Sequence, residues 1–339
     1  MSNRRSQPST SAPTQIWARR RLIRIVIVGL FAVAIVATWS HYRFSRPVGA
    51  GPAGSKVLRK FFDSPWSHQE VVVLGLGDSV TQGLGASTTG KSYFQRLIKN
   101  PDDEFPDMRG ICLSQVLPKL TPLNLAISGT TSIECVDYQL PKLTTFDDRT
   151  FGVVVMTTGG NDVIHNYGRT PPREGAMYGA HRDQIDEWLR NFESRLEAIA
   201  DKVQSSFPGG CHIFIANIYD PTDGDGDIIY AGLPAWPDGV KVLAAYNEVL
   251  ARFSKRHKEV TLIDMHREFL GHGIHCTQFW HPAYQASDPH YWYWENLEDP
   301  NDRGYDALRR LFLNEMSRVL PERLKDGEMS SRKTADEPK

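Results

Sequence analysis

Val71-Val-Val-Leu-Gly-Leu-Gly77-Asp78-Ser79 is the stretch on which the reading of this chain turns. Six apolar or small residues followed by Gly-Asp-Ser predict a buried strand that delivers a serine hydroxyl into a tight turn. The strand fixes the hydroxyl in space, as a nucleophile requires. Gly77, Gly83 and Gly85 let backbone amides approach a substrate closely. Two further junctions repeat the form. Asn124-Leu-Ala-Ile-Ser128-Gly129 ends one apolar segment, and the run 153–158 passes into Gly159-Gly160-Asn161-Asp162. Small and polar residues collect at carboxyl ends of strands in parallel α/β sheets because the ligand crevice lies there.

Working outward, apolar runs at 71–76, 121–127, 152–157, 211–217 and 260–264 read as buried strands. Helical spacing appears between them, first in Ile185, Trp188, Leu189, Phe192, Leu196, Ile199 and Val203. It recurs in Val242, Leu243, Tyr246, Val249, Leu250 and Phe253, and again in Tyr305, Leu308, Leu311, Phe312, Met316 and Val319. Asn301 or Asp302 is placed to cap the last of these helices. Strands alternating with helices give a parallel sheet covered on both faces, a three-layer α/β/α domain over 70–320. Residues 321–339 read as a polar, frayed tail. Two long connections, 166–180 and 271–298, read as lids or binding walls, the second carrying Phe279, Trp280, Tyr284, Tyr291, Trp292, Tyr293 and Trp294.

The three junctions, taken in order, resemble the SGNH, or GDSL, family of serine esterases and lipases. The blocks are Gly77-Asp78-Ser79, Gly129 and Gly159-Gly160-Asn161-Asp162, and the resemblance covers about residues 70–320. It implies a flavodoxin-like domain with a five-stranded parallel sheet. It further implies Ser79 as nucleophile, with the backbone amides of Ser79 and Gly129 and the side chain of Asn161 as oxyanion donors. The implied substrates are carboxylic (acyl) esters of carbohydrate or lipid, and no cofactor is implied. Asp78 reads as fixing its turn and Asp162 as a cap for the segment that follows.

The family's last block is Asp-x-x-His, commonly followed by Pro-Asn and a helix. Here Asn296-Leu-Glu-Asp299-Pro300-Asn301 occupies that place, so Asp299 stands in the histidine position and Asn296 in the aspartate position. A free aspartate, with a pKa of ~3.9, is a weak base toward a serine hydroxyl. Imidazole suits the role better, which directs attention to His266, His272, His275, His281 and His290. His290, oriented by Asp288 or Asp299, is the first candidate base; His275, in the glycine-flanked 271–275 segment, is the second.

Two other readings compete with a serine esterase. One is a binding module on the same fold, suggested by the altered last block. The other is a metal-assisted hydrolase built on His272 and His275, with His266, His281 and Asp264 in reach, although there is no His-Glu-x-x-His or Cys-x-x-Cys motif. The acidic run 220–227 does not fit an EF-hand, since Ile228 stands where glycine is needed and Pro234 where glutamate is needed; a solvated loop is expected.

The chain has 339 residues, 40% hydrophobic, enough for one large or two modest cores. Its formal net charge of −1 supplies no argument for nucleic acid as a partner. Residues 1–21 form a basic tail with Arg4, Arg5 and Arg19-Arg20-Arg21, expected on the cytoplasmic side. Residues 22–42 read as a single transmembrane anchor or a signal sequence, and 43–69, with Pro/Gly-rich 47–54, as a linker. More positive charge precedes the span than follows it, which puts the catalytic domain on the extracytoplasmic side, periplasmic or extracellular. The alternative is secretion after cleavage near 48–50. In an oxidising compartment Cys112, Cys135, Cys211 and Cys276 could pair in three ways.

Overall fold

The computed structural model describes the backbone of residues 12–335 and the side chains of 17–325. Arg4 and Arg5 of the basic tail lie outside the described residues. The chain divides into two units, Met1–Ser45 and Arg46–Lys339. The described residues of the first form a helix, α1 (Ala12–Phe44). Within its 28-residue stretch Trp17–Phe44 an 18-residue window reaches a mean hydropathy of 2.5 with none of it buried, which by length and composition is enough to cross a membrane.

The second unit is built on a five-stranded parallel sheet of order β2-β1-β3-β4-β5. The strands are β1 (Glu70–Gly77), β2 (Leu120–Asn124), β3 (Thr150–Thr157), β4 (Cys211–Ala216) and β5 (Val260–Ile263). The helices that matter here are α2 (Ser79–Gln82), α3 (Tyr93–Ile98), α4 (Gly160–Ile164), α5 (Asp186–Ser206), α6 (Gly239–Arg256) and α7 (Asp302–Ala335).

Side chains alternate across each strand, and both faces of this sheet are covered. Val71 and Val73 of β1 share a core with Phe94, Leu97, Leu308 and Phe312 from α3 and α7. Val72, Leu74 and Leu76 join the opposite core, with Phe192, Leu196, Val203 and Val249 from α5 and α6. That double covering is why β1 and β3 read as unbroken apolar runs. Truncating one such buried leucine to alanine typically costs about 2–5 kcal/mol.

Three segments depart from the sequence reading. β2 forms one edge of the sheet and is mostly exposed, since only β1 flanks it. The last helix runs through Pro321 to Ala335 instead of ending at 320, and Leu324 is fully buried. Within 43–69, Ala53, Val57 and Phe62 are buried in the core beside α7, and the Ala53 N–H donates to Asp306 Oδ2 at 3.0 Å. The latter part of the expected linker is therefore part of the domain. All four cysteines are free, with Cys112, Cys135 and Cys276 buried.

Candidate active site

β1 ends in Gly77 at φ +107°, where an added Cβ would lie 1.7 Å from the Thr157 carbonyl oxygen of β3. Only glycine lets the two strand ends approach so closely. Both backbone groups of Gly77 are held by one buried side chain. Its N–H donates to Gln139 Oε1 at 2.8 Å, and Gln139 Nε2 donates to its carbonyl at 2.7 Å. Asp78 then caps α2, its Oδ1 accepting from the Val80 N–H at 3.2 Å and from Thr157 Oγ1 at 2.6 Å. Burial, only partly offset by the Thr157 hydrogen bond, pushes the Asp78 carboxyl up to about 7. Ser79 follows as the first residue of α2 and is itself buried.

The second junction is tied to the first. Thr130 Oγ1 donates to the Gly77 carbonyl at 2.9 Å, and the Ile127 N–H reaches the same oxygen at 3.1 Å. Gly129 has φ +81° and nothing within 4 Å of where a Cβ would stand, so its backbone is open to a ligand. The third junction supplies Asn161, buried at the start of α4, whose Nδ2 donates one hydrogen to the Thr130 carbonyl at 2.9 Å. Its neighbour Asp162 reaches across to Ser132, accepting from the N–H at 2.7 Å and from Oγ at 2.5 Å. Burial raises the Asp162 pKa, while the Ser132 hydrogen bonds and Arg195, 3.7 Å away, oppose the rise. The three junctions thus form one connected framework.

The altered last block meets this framework. Asp299 is buried, and Asn296 Nδ2 donates to its Oδ2 at 2.6 Å. Asn296 Oδ1 in turn accepts the N–H groups of Glu298 and Asp299, each at 3.1 Å. Between them Leu297 is held at φ +68°, a conformation that costs a residue with a Cβ about 1–3 kcal/mol. Burial raises the Asp299 pKa, and hydrogen-bonding influence from the Ser79 hydroxyl and from Asn296 lowers it. Ser79 thus lies close to the carboxyl, and among the described residues Asp299 Oδ1 is buried and completes no hydrogen bond. Glu298, alongside, is pushed up to about 7 by burial and then by the Asp299 charge.

Ser79, Asn161 and Asn296 border a cavity of about 130 Å³ that also takes in Asp78 and Glu298. Its far wall is apolar, formed among others by Ile164, Tyr167, Leu233, Trp236 and Leu243. Tyr167 comes from the 166–180 connection. Among the described residues no histidine lines this cavity.

His290 instead bonds Asp288 through Nδ1 at 2.5 Å, and Asp288 pairs with Arg303 at 2.5 Å. Those three border a separate polar cavity of about 510 Å³. His275 Nε2 lies 2.8 Å from Asp227 Oδ1, and its ring stacks on His281. His272 stacks on Trp292 and His266 bonds the Ile218 carbonyl, so the five histidines of this region do not form one cluster. In the 271–298 connection Tyr291, Trp292 and Tyr293 belong to the core, whereas Phe279 and Trp280 are 62% and 57% exposed.

Two residues of the framework, Gln139 and Thr157, carry no signal in the sequence. Gln139 sits in a π-helical turn more than sixty residues from the strand end that it clasps.

The GDSL-like lipase/acylhydrolase family matches residues 76–307, about two thirds of the chain. Among solved structures, an extracellular lipase from Streptomyces rimosus is 17% identical, with 74% of this chain and 99% of that chain covered at a TM-score of 0.48. Phospholipase A1 from Streptomyces albidoflavus NA297 is 17% identical over 74% and 99%, with a TM-score of 0.44. An acetylxylan esterase from Geobacillus stearothermophilus is 16% identical over 74% and 94%, with a TM-score of 0.43. No curated protein sequence matches the chain.

Proposed function

The chain belongs to the GDSL-like lipase/acylhydrolase family, and from that premise we propose a serine esterase in which Asp299, not a histidine, is the base. The observation that carries the reading is the Asp299 carboxyl beside the Ser79 hydroxyl, with Asn296 donating to its other oxygen at 2.6 Å. Burial raises the pKa of that carboxyl, so its ionised form is a stronger base than a solvated aspartate.

The steps are those of acyl transfer. Ser79 Oγ attacks the ester carbonyl carbon as its proton passes to Asp299. The Ser79 and Gly129 amides and the second hydrogen of Asn161 Nδ2 donate to the oxyanion. Collapse breaks the bond to the alcohol, which leaves with the proton that Asp299 took up. Water then attacks the acyl-enzyme by the same route, giving the acid and restoring Ser79. Asn161 fits the donor role because its other hydrogen is already committed to the Thr130 carbonyl, which fixes the amide in advance.

The substrates are acyl esters of carbohydrate or lipid, with the acyl group against the apolar wall near Trp236 and Leu243. The apolar run 25–39 within Trp17–Phe44, with Arg19-Arg20-Arg21 and Arg24 before it, supports an anchored enzyme working on the extracytoplasmic side.

The test is hydrolysis of p-nitrophenyl esters of graded chain length by Ser79→Ala, Asp299→Asn, His290→Ala and His275→Ala. The first two variants should be inactive and the histidine variants active. Full activity in Asp299→Asn, or its loss in one histidine variant alone, refutes the assignment of the base.

A further inference from the structure

We propose a second site, separate from the Ser79 chemistry: a zinc-type divalent cation held by His275, His281 and Asp225, with Asp227 in reach. One ligand atom from each of the first three lies within 4.8 Å of the others. His281 Nε2 is 3.3 Å from Asp225 Oδ2, and His275 Nε2 is 3.9 Å from Asp225 Oδ2 and 2.8 Å from Asp227 Oδ1. The two imidazoles are parallel, centroids 4.8 Å apart, with side chains only 1% and 5% exposed. Two imidazole nitrogens with carboxylate oxygens suit zinc and its first-row neighbours, whereas calcium takes oxygen ligands.

A second observation points to a ligand. His281 Nδ1 accepts the Ala283 N–H at 3.1 Å, so the neutral ring carries its proton on Nε2. That Nε2 faces Asp225 and yet, among the described residues, completes no hydrogen bond. Buried polar atoms seldom stay unsatisfied, and an absent ion is one recognised reason. Ligation through Nε2 moves the ring proton to Nδ1, exchanging the Ala283 contact for the bond to the metal.

The frame around these ligands is already fixed. Asp223 Oδ1 accepts the N–H groups of Gly271 and Gly273 at 2.8 and 2.9 Å, and its Oδ2 accepts that of His275 at 3.0 Å. This carboxylate clamps the loop bearing Asp225 and Asp227 to the loop bearing His275, so the ligands meet without a folding step. The acidic run read as a solvated loop is thus in part a buried fastener. Gly226 and Ile228, flanking Asp227, line the Ser79 cavity. A cation here would stiffen the wall of that cavity without touching the reacting atoms.

The experiment uses the untagged full chain in detergent, stripped with EDTA and titrated with zinc chloride. Bound metal is counted by mass spectrometry and affinity read by calorimetry. One zinc per chain is expected, with a higher melting temperature. Affinity should fall at least tenfold in His281→Ala and in Asp225→Asn, whose side chain is exposed and outside the core, and should be unchanged in His272→Ala. The absence of stoichiometric zinc, or its undiminished retention in both ligand variants, overturns the site. Because no ester is used, the result stands apart from the assignment of Asp299.

Discussion

Asn296 donates its side-chain N–H to Asp299 Oδ2 at 2.6 Å, and the direction of that bond matters. In an Asp-x-x-His block the histidine donates and the aspartate accepts. Here the residue in the histidine position can only accept when ionised, and the residue three before it is an amide that can donate. Both positions differ from the family block in a way that keeps the hydrogen bond. An aspartate in both places would set two carboxylates against each other, and one would be driven to protonate.

Exchanging the pair tests this complementarity. Asp299→Asn should lower kcat/KM by about 10²–10⁴ with the fold intact, since the amide cannot accept the serine proton. Asn296→Asp should also lose activity, through repulsion at Asp299. Combining Asn296→Asp with Asp299→His should recover activity over the Asn296→Asp variant, measured as p-nitrophenyl ester turnover.

The pH profile should carry the mark of a buried carboxyl. Asp299 must be ionised to act, and its pKa is raised by burial. The acid limb of kcat/KM is therefore expected above the ordinary aspartate value of 3.8. Glu298, pushed up to about 7 by burial, is largely protonated below that pH, so Glu298→Gln should leave an acid limb in that range where it is. The doubly substituted Asp/His enzyme should show a limb near the imidazole pKa of ~6.5.

Asp78 makes a prediction about stability. Its pKa rises from 3.8 to about 7 on folding, so the folded state holds more protons than the unfolded state between those values. This contribution is full below pH ~4 and is lost as pH rises through about 7, on the order of 4 kcal/mol at most. Asp78→Asn should flatten that decline in urea midpoints measured from pH 4 to 8. No flattening would show that Asp78 is ionised in the fold at neutral pH.

Gly77→Ala should be among the most damaging single changes. The added methyl would meet the Thr157 carbonyl at 1.7 Å with the backbone at φ +107°. A loss of at least about 3 kcal/mol is expected, read as a fall in melting temperature or in soluble yield. Gly129→Ala, with open space around it, should fold far better.

Strands β1, β3 and β4 were legible because a strand covered on both faces leaves an uninterrupted apolar run. The places of Ser79 and Asn161 at strand ends were legible because strand ends gather small and polar residues. Which side chain comes to lie beside Ser79 was not. Five histidines offered themselves by residue type, but which side chain arrives at the serine depends on the path of the 271–298 connection, and no periodicity encodes that path. The raised pKa of Asp299 comes from burial, which its polar neighbours Asn296 and Glu298 conceal. The 43–69 segment misled for a related reason: Pro/Gly-rich 47–54 reads as a linker, and Ala53, Val57 and Phe62 pack with no regular spacing. Asp223, expected to face water, is buried because three amides of another loop need an acceptor.

The exposed strand β2 has one more consequence. Lys119 accepts from Val71, Leu125 donates to Gly75 and Ile127 donates to Gly77, so the odd-numbered residues bond β1 and Pro122 turns its backbone to the free side. Having no N–H, proline withholds the donor that an incoming strand would need there. The sheet therefore ends at β2 by chemistry as well as by order, guarded against edge-to-edge growth between molecules.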